Sequence, residues 1–291
     1  MGIWDLFKSQ WSASDMTPDD RKKLFWYLKR KTSYTAWERQ ANAFDKFSAI
    51  FKTQVIEEPS TGNDLSGTDW EAFYPQILKA QVLYEQALTL LKSGDRSVWL
   101  YNERGILRDA GFIAHHWHEV LVNHGLYGDV FLDGKYVNEM ANAIQEFYDA
   151  SNDVGYLQPA MNGGAAPECW TTRWQAKFAK LSIPPRLPEV PVPTLQTLVR
   201  TNEPIPVFGI YEPQIKDGCM NYLLAGAPAP SMELTNGKDY TGQQTSVAWR
   251  LIWEDTRYLD GIIHDDEALY FPFTEKVTAF LSHLSEQNVN T

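Results

Sequence analysis

The densest potential for chemistry lies in one run, His115, His116, Trp117, His118 and Glu119, with His124 close behind. On a helix, His115 and Glu119 stand at i,i+4 and share one face. Such a pair could hold a divalent metal that activates water, giving a metal-assisted hydrolase. The rest of the run does not join them. His116 and His118 point to other faces, and the His-Glu-x-x-His order of zinc proteases is absent. A catalytic zinc also needs a third protein ligand, and no obvious one is offered. The plainer reading is a helix with exposed and partly packed imidazoles, and the spacing favours it.

A second concentration of charge runs from Glu254 to Glu267. It holds Glu254, Asp255, Asp260, Asp265, Asp266 and Glu267 against a single base, Arg257. A calcium loop needs alternating oxygen ligands that close on a glutamate at the twelfth position. The stretch from Asp255 to Asp266 does not follow that pattern. Two readings remain: a solvated loop, or a contact face for a basic partner. Cys169, in the context Pro167-Glu168-Cys169-Trp170, could supply a thiol nucleophile, but no family signature surrounds it. No serine sits in a G-x-S-x-G elbow. Gly155, Gly163, Gly164 and Gly209 form no dinucleotide fingerprint. With no complete ligand or nucleophile set, the expectation is a protein without catalytic residues, metal or cofactor, which acts by binding.

The elements that must position these residues are helical through the first 180 positions or so. Thr17-Pro18-Asp19-Asp20 is a helix start, with Thr as N-cap, Pro at N1 and acids in the first turn. That helix ends in Lys29-Arg30-Lys31. A second follows from Ser33, with Trp37, Ala41, Phe44, Phe47, Ile50 and Phe51 at three- and four-residue spacing. Further helices are expected over about 69–92, 97–123 and 136–149, with a shorter one near 171–181. Five prolines from Pro184 to Pro193 cannot be helix or central strand, so 183–193 reads as an extended linker. Beyond it, 206–212 and 247–253 are rich in β-branched and aromatic residues and read as strands. A closing helix is expected over 274–284. The fold class expected is therefore mainly α: a helical bundle over 1–182, the linker, and a smaller α+β part over 194–291 with a short antiparallel sheet.

Composition narrows the function. The chain has 291 residues, a formal charge of −11 and 44% apolar residues, so it can bury a substantial core. Phosphate binding needs clustered Lys and Arg, so the acidic balance argues against a nucleic-acid partner. It would instead steer a basic protein toward the surface. No stretch approaches about 18 uninterrupted apolar residues, and the N-terminus has no secretory pattern, so no membrane partner is expected. Cys169 and Cys219 are too few for a disulfide framework and suit a reducing compartment; one bridge between them stays open. The expected location is cytoplasmic.

The last third also carries a family pattern. Gly209, Tyr211 and Pro213 open it. Cys219, Leu223, Gly226, Ala229 and Pro230 follow, and then a tryptophan-bearing strand from Trp249 to Trp253. Over roughly 70 residues this resembles the immunity proteins of bacterial polymorphic toxin systems, families 71 and 72. The resemblance implies a stoichiometric inhibitor made beside a toxin, often one delivered by a type VI secretion apparatus. Its partner is the cognate toxin, and no catalytic residue comes with the family. A cytoplasmic inhibitor implies a toxin acting there, with nucleases the obvious candidates. An adaptor that carries an effector to the secretion machinery is the other binding function open to such a chain.

Overall fold

The computed structural model describes residues 16–57, 74–100, 106–123, 137–154, 169–171, 175–176, 179, 181, 183–184, 186–192, 197–236 and 238–271. The closing helix expected over 274–284 lies outside them. So does most of the short helix near 171–181.

Helix α1 (Pro18–Lys31) starts as its sequence dictates. The Thr17 hydroxyl accepts from the Asp20 amide at 3.1 Å, and the Asp20 carboxylate accepts from the Thr17 amide at 3.2 Å. That reciprocal pair satisfies two orphan amides. After a two-residue corner, α2 (Tyr34–Phe51) starts on the N-cap Ser33. It passes into one π-helical segment, Lys52–Glu57. Helices α3 (Tyr74–Lys92), α4 (Ile106–Asn123) and α5 (Val137–Val154) complete the helical part. α2 is central, packed on α3 and α5, while α4 packs on α3. Phe44 sits in the middle of this core, its ring 5.5 Å from Phe147 and 5.9 Å from Tyr84. The helix expected from Ser97 begins later. Asp95 instead caps a 3-10 turn, Arg96–Trp99, and Leu100 is extended.

The mainly α expectation is corrected. Among the described residues there are five α-helices and six strands, and the strands form two antiparallel sheets, so the class is mixed α+β. The larger sheet has the order β1-β6-β2-β3, from β1 (Leu198–Arg200), β2 (Gly209–Pro213), β3 (Asn221–Leu223) and β6 (Ala248–Glu254). β4 (Met232–Thr235) and β5 (Tyr240–Thr245) pair separately. The error has a physical cause. Period-2 patterning needs several residues to show, and β1 and β3 are three residues each. β5 reads Tyr-Thr-Gly-Gln-Gln-Thr and is mostly exposed, so it carries no apolar signal.

The four-stranded sheet is buried on both faces. Ile210, Tyr222 and Ile252 join the helical core. Tyr211, Leu223 and Trp249 face a second cluster that includes Val199, Met232 and Val247. This explains why Gly209–Pro213 is buried throughout, with no polar alternation. The Gly209 position is fixed by crowding: a Cβ there would lie 2.2 Å from the Trp253 carbonyl oxygen. The proline-rich stretch does not hang free either. Ile183, Leu187 and Val190 pack against the large core, and Lys22 on α1 bonds Glu189 at 2.5 Å.

Candidate functional site

The acidic stretch leaves β6 at Glu254 and returns through a 3-10 turn, Asp265–Leu269. Its acids divide into two sets. Asp255 and Glu267 are buried, whereas Glu254, Asp260, Asp265 and Asp266 are exposed.

Asp255 is a fully partnered internal anion. Its Oδ1 accepts from Arg96 Nη2 at 2.8 Å and Arg257 Nε at 2.9 Å. Its Oδ2 accepts from Arg257 Nη2 and the Tyr222 hydroxyl, each at 2.8 Å. Burial alone would raise the carboxyl's pKa, but the two guanidiniums outweigh it and hold the group well below the usual carboxylate range. Burial likewise opposes the Arg257 charge, and Asp255 reverses the effect, leaving the guanidinium pKa well above its ordinary value. Burial pushes the Tyr222 hydroxyl far up, so it stays a donor.

The same residues close the corner between α1 and α2. Helix ends leave amides and carbonyls unpaired. Here Arg257 Nη1 donates to the Lys29 carbonyl at 2.9 Å, and its Nη2 donates to the Thr32 carbonyl at 3.1 Å. On the other side, the Tyr34 amide donates to the Tyr258 hydroxyl at 2.8 Å, and the Thr35 amide to Glu267 Oε2 at 3.1 Å. Tyr258 passes its own proton toward Glu267 Oε1. A cation thus meets a helix C-terminus and an anion meets a helix N-terminus, the favourable sense at both ends. Glu212, from Gly209–Pro213, makes a second bridge, accepting from Arg21 on α1 and, at 2.7 Å, from Arg250 on β6.

This inner lattice fixes an outer surface. Tyr258 is fully buried although its φ is +66°, a costly region for a bulky residue. The turn it makes throws the next residue outward: Leu259 is 69% exposed, followed by Ile262 at 59% and Leu269 at 54%. The turn rests on Gly94, where a Cβ would lie 3.1 Å from the Leu259 Cα. Asp260 Oδ1 accepts from the Ile262 amide at 3.0 Å, and Asp266 lies 3.6 Å from Lys29. Glu254 and Asp265 are exposed as well.

The other sequence candidates are placed less fully. His115 and Glu119 lie on α4, but their side chains fall outside the described residues, as does His124; His116 is exposed. Among the described residues, no group of three or more His, Cys, Asp or Glu could hold a metal ion. Cys169 and Cys219 are both buried thiols, in different clusters. The Cys169 thiol lies 3.4 Å from the Glu233 carbonyl oxygen. No helix among the described residues is long and apolar enough to cross a membrane.

Two family models match the chain: Immunity protein 71 over residues 15–175 and Immunity protein 72 over residues 191–271. The chain belongs to the Immunity protein 71 family. No curated protein and no solved structure matches it. In this immunity protein the family pattern of the last third is largely a packing pattern. Tyr211, Cys219, Leu223, Ala229 and Trp249 are all buried. Sequence reasoning missed Arg96, Tyr222 and Tyr258 as partners of the acidic stretch. One signal was available: Arg257 is the only base among six acids, and an isolated base in such a run is a candidate internal partner.

Proposed function

We propose that this immunity protein neutralises a cognate toxin by direct, stoichiometric binding in the cytoplasm, and that the toxin is a type VI secretion effector such as a nuclease. Its family membership carries this reading. The strongly acidic surface supports a basic partner, as a nuclease with a phosphate-binding groove would be. Binding alone suffices for the function, so no enzymatic activity of the chain is invoked. The test is co-expression with the toxin encoded by the adjoining gene. The expected result is rescued growth and co-purification as one complex. Rescue without a complex, or a complex that leaves the toxin active, would overturn direct neutralisation, and the latter would point to an adaptor.

Glu254, Asp260, Asp265 and Asp266 are the acids of the sequence-defined stretch that remain available to a partner. Asp255 and Glu267 support them from inside. Charges at an interface rim act mainly on association rate. Replacing Asp260, Asp265 and Asp266 together by Asn is expected to lower the toxin on-rate about tenfold or more at low salt and to flatten its dependence on ionic strength. Stability should change little, since surface changes are usually within about 0.5 kcal/mol. Stopped-flow association across a salt series decides it. An unchanged rate and slope would leave this loop a solvated face.

A further inference from the structure

We infer that the toxin is held by an apolar contact beside these acids, in which Leu259 and Ile262 are the anchors and the groove between α3 and the 258–262 turn receives an apolar side chain of the toxin flanked by Lys or Arg. This rests on the toxin-binding function proposed above and adds the surface and the division of labour within it. Three observations carry it.

First, the turn presents large aliphatic side chains to solvent at a fixed position. Leu259 and Ile262 are 69% and 59% exposed, yet Tyr258 between the guanidiniums is wholly buried. The backbone beneath Leu259 is pressed onto Gly94. A left-handed φ at Tyr258 is kept by hydrogen bonds to Tyr34 and Glu267. Exposed aliphatics on a pinned backbone lose little freedom when a partner covers them. Second, a groove of about 450 Å³ opens beside the turn, with Tyr34, Leu88, Thr89, Lys92 and Gly261 in its lining. The Lys92 ammonium lies over the Tyr34 ring at 5.9 Å. The groove can take one side chain while the aliphatics meet the partner around it. Third, the exposed carboxylates of Asp260, Asp265 and Asp266 belong to the same loop. Their charge specifies the flanking chemistry: apolar at the centre, basic around it. An interface of this kind takes its lifetime from the buried anchors and its encounter rate from the rim.

The test uses the full-length immunity protein and the purified toxin of the adjoining gene, inactivated by mutation. Leu259→Ser with Ile262→Ser should speed dissociation at least tenfold and leave the on-rate within about twofold. Thr89→Arg, which fills the groove and adds a charge of the partner's sign, should weaken binding by at least tenfold. All three positions are exposed, and circular dichroism with a melting curve checks that the variants keep the fold. If the unaltered protein does not bind the toxin, the function proposed above fails and this surface with it. If it binds, and both folded variants dissociate at the unaltered rate, the surface is refuted while the function stands. A folded double variant whose on-rate falls with an unchanged dissociation rate also overturns the assignment of anchors.

Discussion

Asp255→Asn is expected to destabilise the fold by about 3–5 kcal/mol, the range for breaking a buried ion pair from one side. The amide keeps the shape but removes the charge that two guanidiniums face. Arg257 is left 6% exposed beside Arg96 at 3%, with no anion between them. The damage would not stay local. Arg257 also caps the α1 C-terminus and lies 3.8 Å from Glu267, so its displacement opens the corner between α1 and α2. Urea unfolding followed by helical circular dichroism and by tryptophan fluorescence should therefore shift together. Separate midpoints would show that the helical and sheet parts unfold independently. The same carboxyl sets an acid limit. Its pKa is lower in the fold than in the open chain, so protons favour the unfolded state. The contribution is complete above the ordinary aspartate value near 3.9 and shrinks as the pH falls below it toward the folded value. Stability of the unaltered protein should fall steeply below about pH 4. The Asn variant should lack that part of the slope. Parallel acid profiles would show that Asp255 does not titrate as the lattice requires.

The outcome shows which parts of the fold were legible. The α1 start was, because Thr17, Pro18 and Asp20 specify it locally. Ser33 as the α2 cap and the Trp37–Phe51 stripe were legible for the same reason. β2 and β6 showed as apolar and aromatic runs, β6 within one residue of its bounds and β2 within three. The short strands were not legible, because their existence depends on pairing with a distant strand. β1 is held by Ala248–Arg250 and β3 by Gly209–Tyr211. The candidate face was half legible. The run Glu254–Glu267 could be seen to be acidic, but charge says nothing about which acids turn inward. That choice is made by Arg96, 159 positions before Asp255, and by Thr35, 232 positions before Glu267. The exposed aliphatics were hidden for the opposite reason. Leu259 and Ile262 look like core residues in sequence, and only the left-handed turn at Tyr258 puts them outside.

Trp249→Ala is expected to cost about 3–5 kcal/mol, the range for deleting a large buried aromatic. On a chain of this length that lowers the melting temperature on the order of 10 °C. Trp249 is fully buried on the central strand β6 and packs with Tyr211, Leu223 and Met232 on the sheet face turned away from the helices. Its indole Nε1 donates to the Pro230 carbonyl at 2.8 Å. Removal therefore leaves a cavity and a half-buried Pro230 carbonyl that keeps only the Thr201 hydroxyl, at 3.2 Å, as donor. Trp249→Phe separates the two losses: it retains most of the packing, drops the hydrogen bond, and should cost about 1–3 kcal/mol. Phe112→Ala is the control. Phe112 is 65% exposed, so its loss should stay within about 0.5 kcal/mol. Trp249 also distinguishes a weaker fold from a damaged contact. It lies beneath the outer sheet face, not on the 258–262 turn. Folded Trp249→Ala protein at low temperature should release the toxin at the unaltered rate, while protection in growing cells falls with the folded fraction. Faster release from fully folded Trp249→Ala protein would instead place the toxin on the outer face of the sheet, with the β4–β5 hairpin.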